Sequence, residues 1–198
     1  MVAETLTMHH NDHHLVLGGQ RSGKSRRAES LAAAWLATPG REAALVATAL
    51  AGDAEMADRI ARHRLDRAER VPGLATVEEP RALASAVRAL AAPHRLVVVD
   101  CLTLWLTNLL MPLAGQAVDG DRLDAAIDDL SDVLRAAAGP VVLVSNEIGL
   151  GLSPLTREAR RFVDELGRLH QRVADHCANV TLMVAGLEVP VKRRVTAG

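Results

Sequence analysis

The chain has 198 residues, 49% apolar and 24% charged, the make-up of one ordinary globular domain that can bury a core, which excludes a largely disordered protein. Its 23 Lys and Arg against 24 Asp and Glu leave a formal charge of −1, which excludes a chain built for bulk attraction to nucleic acid or a membrane surface. Cys101 and Cys177 are too few for a disulfide framework and have no metal-ligand spacing, so a reducing cytoplasm is the expected compartment.

The opening MVAETLTMHHNDHH has no basic start followed by an apolar run, so it does not read as a secretory signal. His9, His10, His13 and His14 crowd it. Imidazoles at short spacing suit chelation, but the preferred reading is a flexible His-rich leader over residues 1–13. The apolar run 14–18 then feeds into Gly18, Gly19, Gln20, Arg21, Ser22, Gly23, Lys24 and Ser25. This is a phosphate-binding loop: the glycines let consecutive backbone N–H groups converge on phosphate oxygens, Lys24 adds a charge, and the Ser25 hydroxyl suits a magnesium ion. A helix starting at Gly23 through SRRAESLAAAWLA aims its positive end at the same anion.

A second strand is expected at 43–48, ending on Thr48. Segment 53–69, DAEMADRIARHRLDRAE, predicts a helix opened by Asp53, with Met56, Ala57, Ile60 and Ala61 on an apolar side. His63 falls at the edge of that side. Arg59 and Arg67 flank it at four-residue spacing, with Arg62 and Arg64 nearby. Such a cluster lowers an imidazole's pKa and keeps it neutral and nucleophilic. From these residues alone, the plainer reading is a surface histidine on a solvated arginine-rich helix.

A short strand at 74–77 and a helix from Pro80 to about Leu90 come next. The run 95–100 ends on Asp100, whose carboxylate either caps the strand or holds magnesium opposite the phosphate loop. CLTLWLTNLLMPLA, from Cys101, is too short and too polar to span a bilayer and supplies either core or an apolar interface. The helix over 121–138 carries Leu123, Ile127, Leu130 and Leu134 as ordinary packing. From the fourth long run, 140–145, Asn146 and Glu147 enter a loop with Gly149 and Gly151, before Thr156 caps a long helix. These two polar residues position substrate, assist proton transfer or order the loop. A last strand is expected at 179–184. Apolar runs alternating with amphipathic helices specify an α/β class: one P-loop NTPase-type domain over residues 14–198, with a mainly parallel sheet and helices on both faces.

Several motifs agree in order and spacing: GGQRSGKS, ATALAGDAEMADRIARHR, VVVDCLTLWLTNLL, SNEIGLG, FVDELGRLHQRVA and VAGLEVPVK. On these the chain closely resembles the bifunctional adenosylcobinamide kinase/adenosylcobinamide-phosphate guanylyltransferase family, from residue 14 to residue 192. The resemblance implies a single P-loop α/β domain and two reactions that build the nucleotide loop of coenzyme B12. First, ATP or GTP phosphorylates the aminopropanol hydroxyl of adenosylcobinamide, with Lys24, Ser25 and magnesium near Asp100. Second, His63 takes GMP from GTP as a covalent intermediate and passes it to adenosylcobinamide-phosphate, giving adenosylcobinamide-GDP. It also implies nucleotide contacts from residues 18–25, Thr48, Glu78 in TVEEP and Asp100, charge balance from arginines such as Arg59 and Arg67, and a homo-oligomer, commonly a trimer. The chain departs from the family pattern at Leu74, where a tryptophan is usual, and in a longer segment between His63 and Pro80. Two rivals remain at this point: another P-loop kinase of a small metabolite, which leaves His63 idle, and a GTP-dependent binding or switch protein.

Overall fold

The computed structural model describes residues 12–194. In chain order its elements are β1 (His14–Gly18), α1 (Lys24–Leu36), β2 (Glu42–Ala47), α2 (Ala54–Arg70), β3 (Leu74–Glu78), α3 (Leu83–Leu90) and β4 (Arg95–Asp100). There follow α4 (Leu102–Leu110), α5 (Gly120–Ala136), β5 (Val141–Asn146), α6 (Arg157–His176), β6 (Asn179–Val184) and β7 (Leu187–Lys192). Among the described residues the strands form one seven-stranded sheet in the order β3-β2-β4-β5-β1-β6-β7. All neighbours are parallel except the β6–β7 pair.

Because side chains alternate across a strand, each central strand feeds two cores. Leu15, Val97, Val99, Val141 and Leu143 face one side, where α3, α4, α5 and α6 cover them through Val87, Trp105, Leu130 and Leu169. Val16, Val98, Val142 and Val144 face the other, against Ala28, Leu31, Ala32 and Trp35 of α1. This two-sided burial is why the strands read as unbroken apolar runs.

The segment after Cys101, expected to supply core or an apolar interface, forms α4, whose Leu102, Trp105, Leu106 and Leu109 are buried in the chain's own core, while Met111 and Leu113 just after it stay exposed. Two local features differ from the sequence expectation. Residues 187–192 form an additional strand, whose Pro190 is tolerated because β7 is an antiparallel edge. α3 begins at Leu83 rather than Pro80, because Glu79 Oε1 accepts from the N–H groups of Arg81 (3.0 Å) and Ala82 (2.7 Å) and holds the preceding turn.

Asp12 and His13, read from the sequence as the end of a leader, are packed into the fold. His9 and His10 lie outside the described residues, but Asp12, His13 and His14 are buried. His13 Nε2 lies 2.7 Å from the Leu134 carbonyl and His13 Nδ1 accepts from Val141 N at 3.1 Å. His14 opens β1 and its Nε2 meets Thr181 Oγ1 at 2.8 Å. Burial, with the charge of Arg27, lowers the His14 pKa to about 4. The folded chain therefore keeps His14 neutral where the unfolded chain already binds a proton. Stability is complete above pH ~6.5 and falls as pH drops toward 4, by roughly 3 kcal/mol from this group. Urea unfolding followed across that window is expected to show the loss, and His14→Gln to flatten the slope.

Candidate active site

The phosphate loop is the turn between β1 and α1. Gly18 has φ 153°, and a Cβ there would lie 2.6 Å from both the Met183 carbonyl oxygen and Ser22 Oγ. Gly23, at φ 102°, is the N-cap of α1. Ser22 N donates to Gly19 O at 3.3 Å and Gly186 N to Ser22 O at 3.0 Å, tying the loop to the β6–β7 turn. The Ser22 hydroxyl is buried with no hydrogen-bond partner, which suits a loop built to receive phosphate oxygens. Lys24 is also buried and donates from Nζ to Gly19 O at 2.6 Å; burial lowers its pKa, opposed by Cys101 and Asp100. Gly18→Ala is expected to weaken nucleotide binding by about tenfold or more, since strain of this kind costs ~1–3 kcal/mol. Gly19→Ala, where nothing lies within 4 Å of the added carbon, is expected to be nearly silent; nucleotide titration of the two variants checks the contrast.

β5 lies between β1 and β4, with Gly18 opposite Asn146 and Asp100 opposite Val144. The carboxyl ends of β4 and β5 therefore stand beside the loop, where ligands collect in open α/β sheets. The Asp100 side chain is 22% exposed. Thr48, expected to touch nucleotide, does something else. It is fully buried, its hydroxyl donates to Cys101 O (2.8 Å) and accepts from Cys101 N (2.9 Å), and its N–H donates to Asp100 O at 3.1 Å. Asn108 Nδ2 in turn donates to Thr48 O at 2.7 Å. Thr48 thus fixes the turn that presents Asp100.

Helix α2 starts where expected: Asp53 accepts from Met56 N at 2.7 Å. Its expected apolar side is only half covered, with Met56 and Ile60 partly buried but Ala57 and Ala61 exposed. His63 is exposed, while the Arg59 side chain lies outside what the structure describes. Arg67 does not flank His63 in solvent. It turns inward and is buried, with Nε 3.9 Å from Glu29 Oε1, Nη2 4.0 Å from Asp100 Oδ2, and Nη1 donating to Thr76 Oγ1 at 3.5 Å. Arg70 Nε approaches Glu29 Oε2 at 3.3 Å. Helix α2 is therefore tied to α1 and to Asp100 through a buried ion cluster. Glu78 is exposed at the edge strand and pairs with Arg64.

A second buried network lies behind the tip of β5. Asn146 N donates to Thr103 Oγ1 (2.8 Å), Thr103 Oγ1 meets Ser145 Oγ (3.0 Å), and Ser145 Oγ meets His170 Nε2 (2.7 Å). His170 Nδ1 stands 3.6 Å from Glu147 Oε2. Sequence reasoning singled out Asn146 and Glu147 but missed His170 and Ser145. The available signal was a polar residue on the buried stripe of α6 formed by Leu166, Leu169 and Val173. Through Ile148 this region adjoins a groove of ≈ 470 Å³ lined by Met111, Pro154, Phe162 and Val163.

Among the described residues, no three His, Cys, Asp or Glu side chains converge on a possible metal position. The Ser25 hydroxyl and the Asp100 carboxylate are oxygen donors of the kind a hard cation prefers. No helix among the described residues is long and apolar enough to cross a membrane.

Sheet order, loop geometry and the acidic strand end define a P-loop nucleotide-binding α/β protein. Flagellar accessory protein FlaH from Methanocaldococcus jannaschii shares the fold, with a TM-score of 0.54 at 12% identity, covering 94% of this chain and 80% of that one. Residues 14–191 match the CobU family model, described as cobinamide kinase / cobinamide phosphate guanyltransferase, and the chain belongs to that family. Over 178 residues it is 50% identical to the bifunctional adenosylcobalamin biosynthesis protein CobP of Pseudomonas aeruginosa, covering 90% of this chain and 96% of that protein. It is 38% identical over 186 residues to the bifunctional adenosylcobalamin biosynthesis protein CobU of Salmonella typhimurium, covering 90% and 98%. The Escherichia coli protein of the same name is 36% identical over 187 residues, with the same coverage. Membership places the chain among enzymes with kinase and nucleotidyltransferase activity.

Proposed function

We propose that this enzyme catalyses two successive steps in cobalamin nucleotide-loop assembly. In the first, the γ-phosphate of ATP or GTP passes to the aminopropanol hydroxyl of adenosylcobinamide. In the second, GMP from GTP passes through His63 to adenosylcobinamide-phosphate, giving adenosylcobinamide-GDP. The match of residues 14–191 to a family described by both activities carries this reading.

For the first step, residues 18–25 cradle the phosphates, and Lys24 offsets charge on the transferring group. Ser25 and Asp100 would hold magnesium, which when bound neutralises charge on the phosphate oxygens. For the second, a nitrogen of His63 attacks the α-phosphorus of GTP, an N–P bond forms, and the bond to the bridging oxygen breaks to release pyrophosphate. A phosphate oxygen of the corrinoid then attacks the same phosphorus and the N–P bond breaks. The exposed position of His63 on α2 supports this role, because the group must meet two large substrates in turn. The ion cluster between α2 and Asp100 supports placing both steps in one site region. Cys101 and Cys177 are free thiols, which fits a reducing cytoplasm, and a homo-oligomer fits the family.

The test is to incubate the protein with α-labelled GTP and magnesium, denature it and locate the label by mass spectrometry. GMP on His63 is the expected result. Bound GTP with no label on the protein would overturn the covalent step and leave only the kinase.

A further inference from the structure

Resting on the kinase reading above, we propose that Glu147 takes the proton from the hydroxyl that attacks the γ-phosphate, and that His170 is the residue that positions it.

Glu147 is anchored beside the phosphate loop by its main chain, because Glu147 N donates to Gly18 O at 3.0 Å. Its side chain is anchored as well. Oε1 accepts from Gly149 N at 2.6 Å, and Oε2 faces His170 Nδ1 at 3.6 Å. Glu147 directly follows β5, which lies between β1, the strand that enters the phosphate loop, and β4, the strand that ends on Asp100. A general base for phosphoryl transfer belongs in that position, close to the terminal phosphate and separate from the acidic group reserved for the cation.

The acceptor-only carboxylate of Glu147 facing His170 Nδ1 favours the tautomer of the neutral ring that carries its proton there. His170 Nε2 is then the acceptor for the Ser145 hydroxyl, which in turn accepts from the Thr103 hydroxyl, while Thr103 Oγ1 accepts from Asn146 N. Burial lowers the His170 pKa, against the pull of Glu147, so the neutral ring is the working form. One chain of donors thus runs from the backbone of β5 through α4 and α6 to Glu147. An arginine in this place would lower the proton affinity of its carboxylate partner, whereas a neutral imidazole orients the carboxylate and leaves it able to take a proton. Ser145 and His170 are buried, at 0% and 8% exposure, and no step of nucleotide binding otherwise calls for them.

In the step, the acceptor O–H bond breaks and its proton goes to Glu147. The acceptor oxygen bonds to the γ-phosphorus, and the bond to the β–γ bridging oxygen breaks to release the nucleoside diphosphate. Solvent then removes the proton from Glu147.

The test follows nucleoside diphosphate release with cobinamide as acceptor in wild type, Glu147→Gln, His170→Asn and His170→Gln, after thermal melting has shown each to be folded. Asparagine keeps a donor near the Nδ1 position facing Glu147, and glutamine keeps one near the Nε2 position facing Ser145. Glu147→Gln is expected to lower kcat by about 10²–10⁴ with the nucleotide KM unchanged. His170→Asn is expected to retain a larger share of kcat than His170→Gln, an order that mere filling of space would not produce. Wild-type turnover that survives Glu147→Gln would overturn the inference alone. Wild-type protein that binds nucleotide but phosphorylates no corrinoid would overturn the kinase reading with it.

Discussion

Lys24→Ala is expected to lower kcat of the kinase step by about 10³ while the fold persists, because one fixed donor aimed at developing charge contributes roughly 10²–10³ and a full cation more. The native environment explains the size of the effect. Lys24 is buried at the start of α1, and its Nζ sits within the loop at 2.6 Å from Gly19 O. No other described lysine or arginine of the loop is buried, since Arg21 is exposed. A neutral side chain there removes charge at a point solvent replaces poorly. His63→Ala is expected to behave differently. It removes the nucleophile proposed for the second step, so incorporation of GMP into corrinoid should vanish while nucleoside diphosphate release from the first step continues. Assaying the two products separately in both variants checks the pair. Loss of GMP transfer without loss of phosphorylation is the pattern that sets this enzyme apart from a simple P-loop kinase.

Much of this architecture is legible in the chain because its determinants are local. The central strands are apolar on both faces, so β1, β2, β4, β5 and β6 announce themselves as runs. The caps at Asp53 and Thr156 act over three residues and read directly. What escapes is non-local or solvent-facing. β7 alternates Leu187, Val189 and Val191 with Glu188 and Pro190, but every position is exposed, so its pattern signals no burial. His13 looks like part of a polar leader until Leu134 and Val141, both distant in sequence, supply its partners, and the burial of His14 against Thr181 is equally non-local. Helical spacing put Arg67 on the His63 face, yet its neighbours prove to be Glu29 on α1 and Asp100 on β4. His170 is hidden in the same way, since its partner Ser145 lies on another element.

The Arg67 cluster leads to a prediction about stability that the phosphate loop does not. Glu29 is only 4% exposed and its neutralising partners are Arg67 and Arg70. Burial raises the Glu29 pKa, opposed by Arg70 and Arg67. The folded chain therefore holds this proton more tightly than the unfolded chain, and stability falls as pH rises from the ordinary carboxylate range through the raised value. Removing Arg67 leaves the charge of Glu29 with Arg70 alone, and breaking a buried pair from one side typically costs ~3–5 kcal/mol. Arg67→Ala is accordingly expected to be strongly destabilised at neutral pH and much less so in acid, where Glu29 takes up its proton. Glu29→Gln should be mild, because a neutral amide requires no counter-charge, and Arg67→Ala combined with Glu29→Gln should recover part of the loss. Urea unfolding of the three variants at acidic and neutral pH measures this, with the His14 contribution common to all of them. Equal loss for Arg67→Ala at both pH values would show that Arg67 stabilises by packing rather than by charge. The same variant tests whether the cluster matters for chemistry: Arg67 joins the helix bearing His63 to the carboxylate at the phosphate site. Its loss is expected to impair GMP transfer and phosphorylation together, whereas His63→Ala impairs only the former.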